Sequence, residues 1–124
     1  MESNTPQLNK LQEKRHVVSE QSVEIMQGLK EAFFMMQKYY PELKALTFFG
    51  SRVVGKENSD SDIDVNLLYD DEEKVGDKEF LEKMLRVKFS VYSEMYLKDV
   101  SMHAFVINIS KESIQQHYEN LKEM

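Results

Sequence analysis

Residues Phe48–Leu68 read FFGSRVVGKENSDSDIDVNLL. An apolar run stops at Gly50-Ser51, ten residues intervene, and Asp62-Ile63-Asp64 then opens a second apolar run. Along Ser61–Tyr69 (SDIDVNLLY) the residues alternate. Side chains of a strand point to opposite faces in turn, so Ile63, Val65 and Leu67 share one face, and Asp62, Asp64 and Asn66 the other. Two carboxylates held that close repel unless a cation compensates them. Mg²⁺ suits the task, because it characteristically takes one or two carboxylates together with substrate phosphates and waters. Two such ions ~3.5–4 Å apart can stabilise both the attacking and the leaving oxygen of a phosphoryl displacement.

The other end of the stretch carries the complementary chemistry. Leu43–Phe49 (LKALTFF) has the length and aromatic content of a strand. Gly50 lets the chain turn sharply at its end and leaves room for a ligand beside the backbone. Ser51-Arg52-Val53-Val54 predicts a short helical turn, closed by Gly55 at positive φ. N–H groups at a helix start, with the Ser51 hydroxyl, suit phosphate oxygens, and Arg52 and Lys56 bring positive charge nearby. One strand end thus offers phosphate donors and its neighbour offers carboxylates for bridging cations, as nucleotidyl transfer requires.

Around this motif the chain reads as an ordinary globular sequence. Its 124 residues suit one domain, with 41% hydrophobic and 31% charged residues. The longest apolar run, Ala32–Met36, is far short of the ~20 residues needed to span a bilayer, so no membrane segment is expected. The polar N-terminus lacks a signal-peptide core, and without cysteine there is neither disulfide nor thiolate metal site. A cytoplasmic protein is expected. A net charge of −6 argues against sequence-independent nucleic-acid binding, which depends on Lys and Arg at phosphates.

Residues 1–15 are expected to be a flexible tail. Ser19–Tyr40 has a helical stripe of Ile25, Leu29, Ala32, Phe33, Met36 and Tyr40, with Ser19 or Ser22 as cap and Pro41 ending it. After an acidic turn over Asp70–Gly76, Asp77 caps a second helix to about Phe89, with Phe80, Leu81, Met84, Leu85 and Phe89 as its buried side. Val91–Tyr96 and His103–Ile109 read as strands of a hairpin around Leu97-Lys98-Asp99. Ser110 caps a last helix bearing Ile114, Tyr118 and Leu121 on one face. The expected order is α-β-β-α-β-β-α, an α+β domain with a small mixed sheet flanked by helices.

Gly50-Ser51, ten residues, then Asp62-Ile63-Asp64, between two apolar strands and with Gly55 and Ser61 in place, resembles the signature of the DNA polymerase beta-like nucleotidyltransferase superfamily. The small size resembles its minimal nucleotidyltransferase (MNT) branch. The resemblance implies a polymerase-beta-like fold and one nucleotidyltransferase-like domain over residues 16–124. It also implies two Mg²⁺ ions held with an NTP, preferably ATP, at Asp62 and Asp64, the catalytic and metal residues. Gly50, Ser51, Arg52 and Ser61 would bind the nucleotide. An enzyme transferring NMP, AMP first, to a hydroxyl of a protein or small molecule is therefore expected. Members of this size often act as antitoxins of helical HEPN-type toxins, so such a toxin or a second copy is the expected partner.

The family also places a third carboxylate on a later strand, and HAFVINIS has none. Glu94 and Asp99 lie upstream as candidates, and His103 is not expected to be an equivalent. A weakly active or inactive nucleotide- or partner-binding module is therefore the alternative. Two plainer readings fare worse. A calcium loop starting at Asp60 would need glycine at its sixth position and glutamate at its twelfth, where this chain has Val65 and Asp71. A solvated loop before an acidic edge strand leaves the position of Gly50-Ser51 unexplained. His16, His103 and His117 show no metal-ligand spacing, and the methionines are expected in the core.

Overall fold

The apolar face of the Asp-x-Asp strand is the centre of the protein. In this computed structural model, which describes residues 17–58, 60–71 and 76–122, strand β2 (Ile63–Tyr69) buries Ile63, Val65, Leu67 and Tyr69 completely. The intervening residues stay partly accessible on the opposite face. Strand β1 (Leu43–Phe49) pairs with β2 antiparallel, and β3 (Met102–Asn108) pairs with it parallel, giving a mixed sheet in the order β1-β2-β3.

Helices cover the apolar face. α1 (Glu20–Gln37) starts at Ser19, whose hydroxyl accepts from the Ser22 N–H, so Ser19 is the cap. Its buried stripe is Ile25, Leu29, Ala32, Phe33 and Met36. Phe34 faces outward and meets Phe33 edge-on, because adjacent positions of a helix cannot share one narrow stripe. Gly28 is a packing device: a Cβ there would lie 2.5–2.6 Å from Tyr96 carbons. The short α2 (Ser51–Val54) follows β1, and Gly55 closes it at φ 76°. The methionines divide: Met36 is buried and Met26, Met84 and Met102 pack on the core, while Met35 and Met95 are exposed.

α3 (Lys78–Ser93), capped by Asp77 through the Phe80 N–H, corrects the expected second half. Val91–Tyr96 is not a strand. The helix runs on to Ser93 and continues as a 3₁₀ turn over Glu94–Tyr96. Leu81, Leu85, Phe89 and Ser93, each four residues apart, form its buried row, and that tertiary contact overrides the strand preference of Val91 and Tyr92. Phe80 lies outside the row and is 65% exposed. The turn at Leu97–Asp99 exists, with Lys98 and Asp99 at positive φ, but it leads from the 3₁₀ turn towards β3 and closes no hairpin. Parallel strands need a crossover, and α3 supplies it between β2 and β3. Among the described residues the order is therefore α-β-α-β-α-β-α, with three strands.

Helix α4 (Lys111–Lys122) begins at Ser110, whose hydroxyl accepts from the Ser113 N–H. Ile114, Tyr118 and Leu121 are all more than half exposed. Among the described residues no helix is long and apolar enough to cross a membrane. The tail expected over residues 1–15 lies outside the described residues.

Candidate active site

The corner after β1 and the acidic end of β2 meet. Phe49 pairs with Asp64 across the antiparallel ladder, so Gly50, one residue on, lies directly against the Asp64 carboxylate. Gly50 has φ 89°, and a Cβ built there would overlap Asp64 Oδ2. Only glycine satisfies both the backbone angle and the close approach. Asp62, immediately before the strand, and Asp64 within it are partly accessible, with side-chain exposures of 35% and 22%.

The loop that brings these ends together is tied from inside. Arg52, on α2, is 2% exposed. Its Nε–H donates to the Ser61 carbonyl (2.8 Å), the peptide just before Asp62, and Nη1 donates to Ser22 Oγ (3.1 Å) and Gln21 Oε1 (3.4 Å) on α1. Glu57 joins the same cluster and accepts from the Ser19 N–H at 3.3 Å. Hydrogen bonding from Ser19 foremost, with Arg52 charge adding a little, holds its carboxyl below the ordinary glutamate range. Ser61 Oγ accepts the Asn58 N–H, closing the turn before the acids. Arg52, read from sequence as a nucleotide contact, thus has these hydrogen bonds directed into the chain.

His103 is the residue that the sequence did not mark. The parallel register places it opposite Asp64, and its ring lies across both acids: Nε2 is 3.3 Å from Asp62 Oδ2, and Nδ1 is 3.6 Å from Asp64 Oδ1. The imidazole is 61% exposed. The signal was the parallel pairing of β2 and β3, hidden while β3 was expected in a hairpin. Along the same face, Phe49 and Phe105 approach with ring centroids 5.8 Å apart, beside Asn66. Glu94, in the 3₁₀ turn, and Asp99, in the following turn, do not lie on β3.

The donor set suits a hard divalent cation that completes its shell with phosphate oxygens: two partly accessible carboxylates, one of them seated directly against Gly50. Among the described residues, no three ligand-type side chains enclose a metal position as they stand.

No curated protein matches the chain. A crystal structure of a candidate nucleotidyltransferase from Sulfolobus solfataricus aligns with 15% identity and a TM-score of 0.42, covering 79% of this chain and 81% of that one. The family described as Polymerase beta, Nucleotidyltransferase matches residues 30–123, a span that contains Gly50, Ser51, Asp62, Asp64 and His103. The chain belongs to the polymerase beta nucleotidyltransferase family.

Proposed function

We propose that this protein is a Mg²⁺-dependent nucleotidyltransferase that moves NMP, with AMP first among candidates, from an NTP to an acceptor hydroxyl. The observation that supports this reading is the contact of Gly50 with the Asp64 carboxylate, by which the Gly50-Ser51 corner and the acidic end of β2 adjoin. In the transfer, the acceptor hydroxyl oxygen forms a bond to the α-phosphorus and gives up its proton to water, while the bond from that phosphorus to the bridging oxygen breaks and pyrophosphate leaves. Bound Mg²⁺ would neutralise the triphosphate and the charge gathering on the leaving group. Asp62 and Asp64 hold the cations. The backbone at Gly50 and Ser51, with the Ser51 hydroxyl, receives the β- and γ-phosphates. Arg52 acts through Ser61, keeping the peptide before Asp62 in place. Phe49 and Phe105, their rings tilted 44° to one another, offer an apolar surface for a base or an acceptor.

The acceptor reading extends the family resemblance: a hydroxyl on a partner protein, a helical HEPN-type toxin being the first to try, or on a small molecule, in the cytoplasm. The second reading is a nucleotide- or partner-binding module without turnover. It is favoured by the accessible side chains of β3, His103, Phe105 and Ile107, none of which is acidic. Incubation with α-labelled ATP, Mg²⁺ and candidate acceptors separates the two. Label transfer that disappears in Asp62→Asn/Asp64→Asn supports the enzyme. Transfer by that variant at the wild-type rate refutes the assigned roles, and ATP binding without transfer to any acceptor supports the second reading.

A further inference from the structure

Strand β3 ends the sheet: among the described residues no strand lies beyond it. The Ile63 N–H donates to the Ser101 carbonyl, and the Ile109 N–H donates to the Tyr69 carbonyl. The backbone groups at the odd-numbered positions of β3 therefore turn towards β2. Successive residues of a strand point their backbone groups to opposite sides, so those of Ala104 and Val106 face away from the sheet. Such an open edge is a template for pairing with another chain, and soluble proteins blunt it with Lys, Pro or a bulge. MHAFVIN has neither Lys nor Pro, and its register with β2 runs without a shift. The opposite edge is less open. β1 has a register shift between Leu43 and Ala45, and the Leu43 carbonyl accepts from Gln37 Nε2.

A cleft of about 500 Å³ lies at the β3 edge, lined by Phe49, Phe105 and Ile107 with Ala104, Val106 and Arg86. Phe105 and Ile107 are half and two-fifths exposed, unusual for large apolar side chains with nothing against them. Arg86 reaches the cleft from α3, and among the described residues no carboxylate pairs with it. From Lys83 to Ser93 that helix carries Lys83, Arg86 and Lys88 and no acid. Two copies joined edge to edge by a twofold axis would bring one Arg86 towards the other. Like charge therefore opposes a second copy here, and an acidic segment complements the edge.

We propose that the free edge of β3 is where an acceptor protein docks: an extended, acidic segment of the partner adds to the sheet as a fourth strand. A carboxylate of the segment meets Arg86, and its apolar side chains lie on Phe105 and Ile107. Main-chain bonds to Ala104 and Val106 supply affinity, and the alternate side chains supply selection. At its Met102 end β3 leads to His103 and the acids, so a segment held along it is brought to the site. The inference rests on the transferase reading above and selects a protein over a small molecule as acceptor.

The test is titration of the isotope-labelled full chain, followed by NMR, with short synthetic peptides of strand-forming Val and Thr. One set carries Glu and the other Lys. The acidic set should bind roughly tenfold more tightly than the basic set and protect the Ala104 and Val106 N–H groups from hydrogen exchange. Arg86→Glu should reverse that preference while binding Mg²⁺-ATP within about twofold of wild type. Equal binding of both sets overturns the proposal, as does binding that leaves those two N–H groups unprotected. Failure of the acidic set to bind at millimolar concentration overturns it too. Protection that appears without peptide and grows with protein concentration overturns it in favour of a second copy. Mg²⁺-ATP binding separates the two levels. If ATP binds and no peptide docks, only the edge falls. If the acidic set docks and ATP does not bind, the transferase reading falls and the docking edge stands.

Discussion

Arg52 donates its Nε–H to the Ser61 carbonyl oxygen at 2.8 Å from a position almost wholly inside the protein. The bond spans the insertion between the Gly-Ser corner and the acids, and the same guanidinium reaches Ser22 and Gln21 at the start of α1. Arg52→Ala removes several buried donors at once and leaves Ser61 O and Ser22 Oγ short of a partner. The expected cost is about 2–4 kcal/mol by denaturant unfolding. Arg52→Lys should recover only part of it, since a point charge cannot reproduce the planar fork. An alanine variant within about 0.5 kcal/mol of wild type would contradict the interior role.

Gly50→Ala places a Cβ on the Asp64 carboxylate at a backbone angle that L-residues rarely adopt. The strain should lower stability by roughly 1–3 kcal/mol. Displacement of Asp64 should also weaken Mg²⁺-ATP binding. Wild-type binding by this variant, measured by calorimetry, would show that the close approach has no part in the site.

Gly28→Ala tests an opposite expectation. In an exposed helix interior this change adds about 1 kcal/mol of stability. Here the new methyl collides with Tyr96, so unfolding should occur at a lower temperature than in wild type. The double variant Gly28→Ala/Tyr96→Ala should relieve the collision, and thermal melts of the three proteins decide it.

Tyr69 is buried at the end of β2 and donates its hydroxyl to Glu82 Oε2 at 2.6 Å. Burial first, then the Glu82 carboxylate, push the phenol well above its ordinary range. The raised value means that the protonated phenol stabilises the fold at neutral pH. That contribution falls once pH climbs past the unfolded value near 10, through the window up to the higher folded value. Tyr69→Phe should cost about 1–2 kcal/mol near neutrality. It should also flatten the decline in stability on the alkaline side, as followed by denaturant unfolding across pH. An unchanged alkaline slope would remove Tyr69 as its cause.

The sequence by itself determined the local features. Alternation over Ile63–Tyr69 set which residues of the central strand are buried, a serine cap at Ser19 or Ser22 and the Gly55 turn followed from residue type, and Gly50-Ser51 with Asp62 and Asp64 marked the two halves of the candidate site. These features depend on neighbours within a few residues, where steric and hydrogen-bonding rules act directly. Only the tertiary structure decided the rest. Val91–Tyr96 became helix because Phe89 and Ser93 continue a buried row against the core. Arg52 turned inward because α1 presents oxygens to it. His103 reached the acids because β3 runs parallel to β2, and strand direction is settled by a crossover packing on the sheet, which no short stretch of residues encodes.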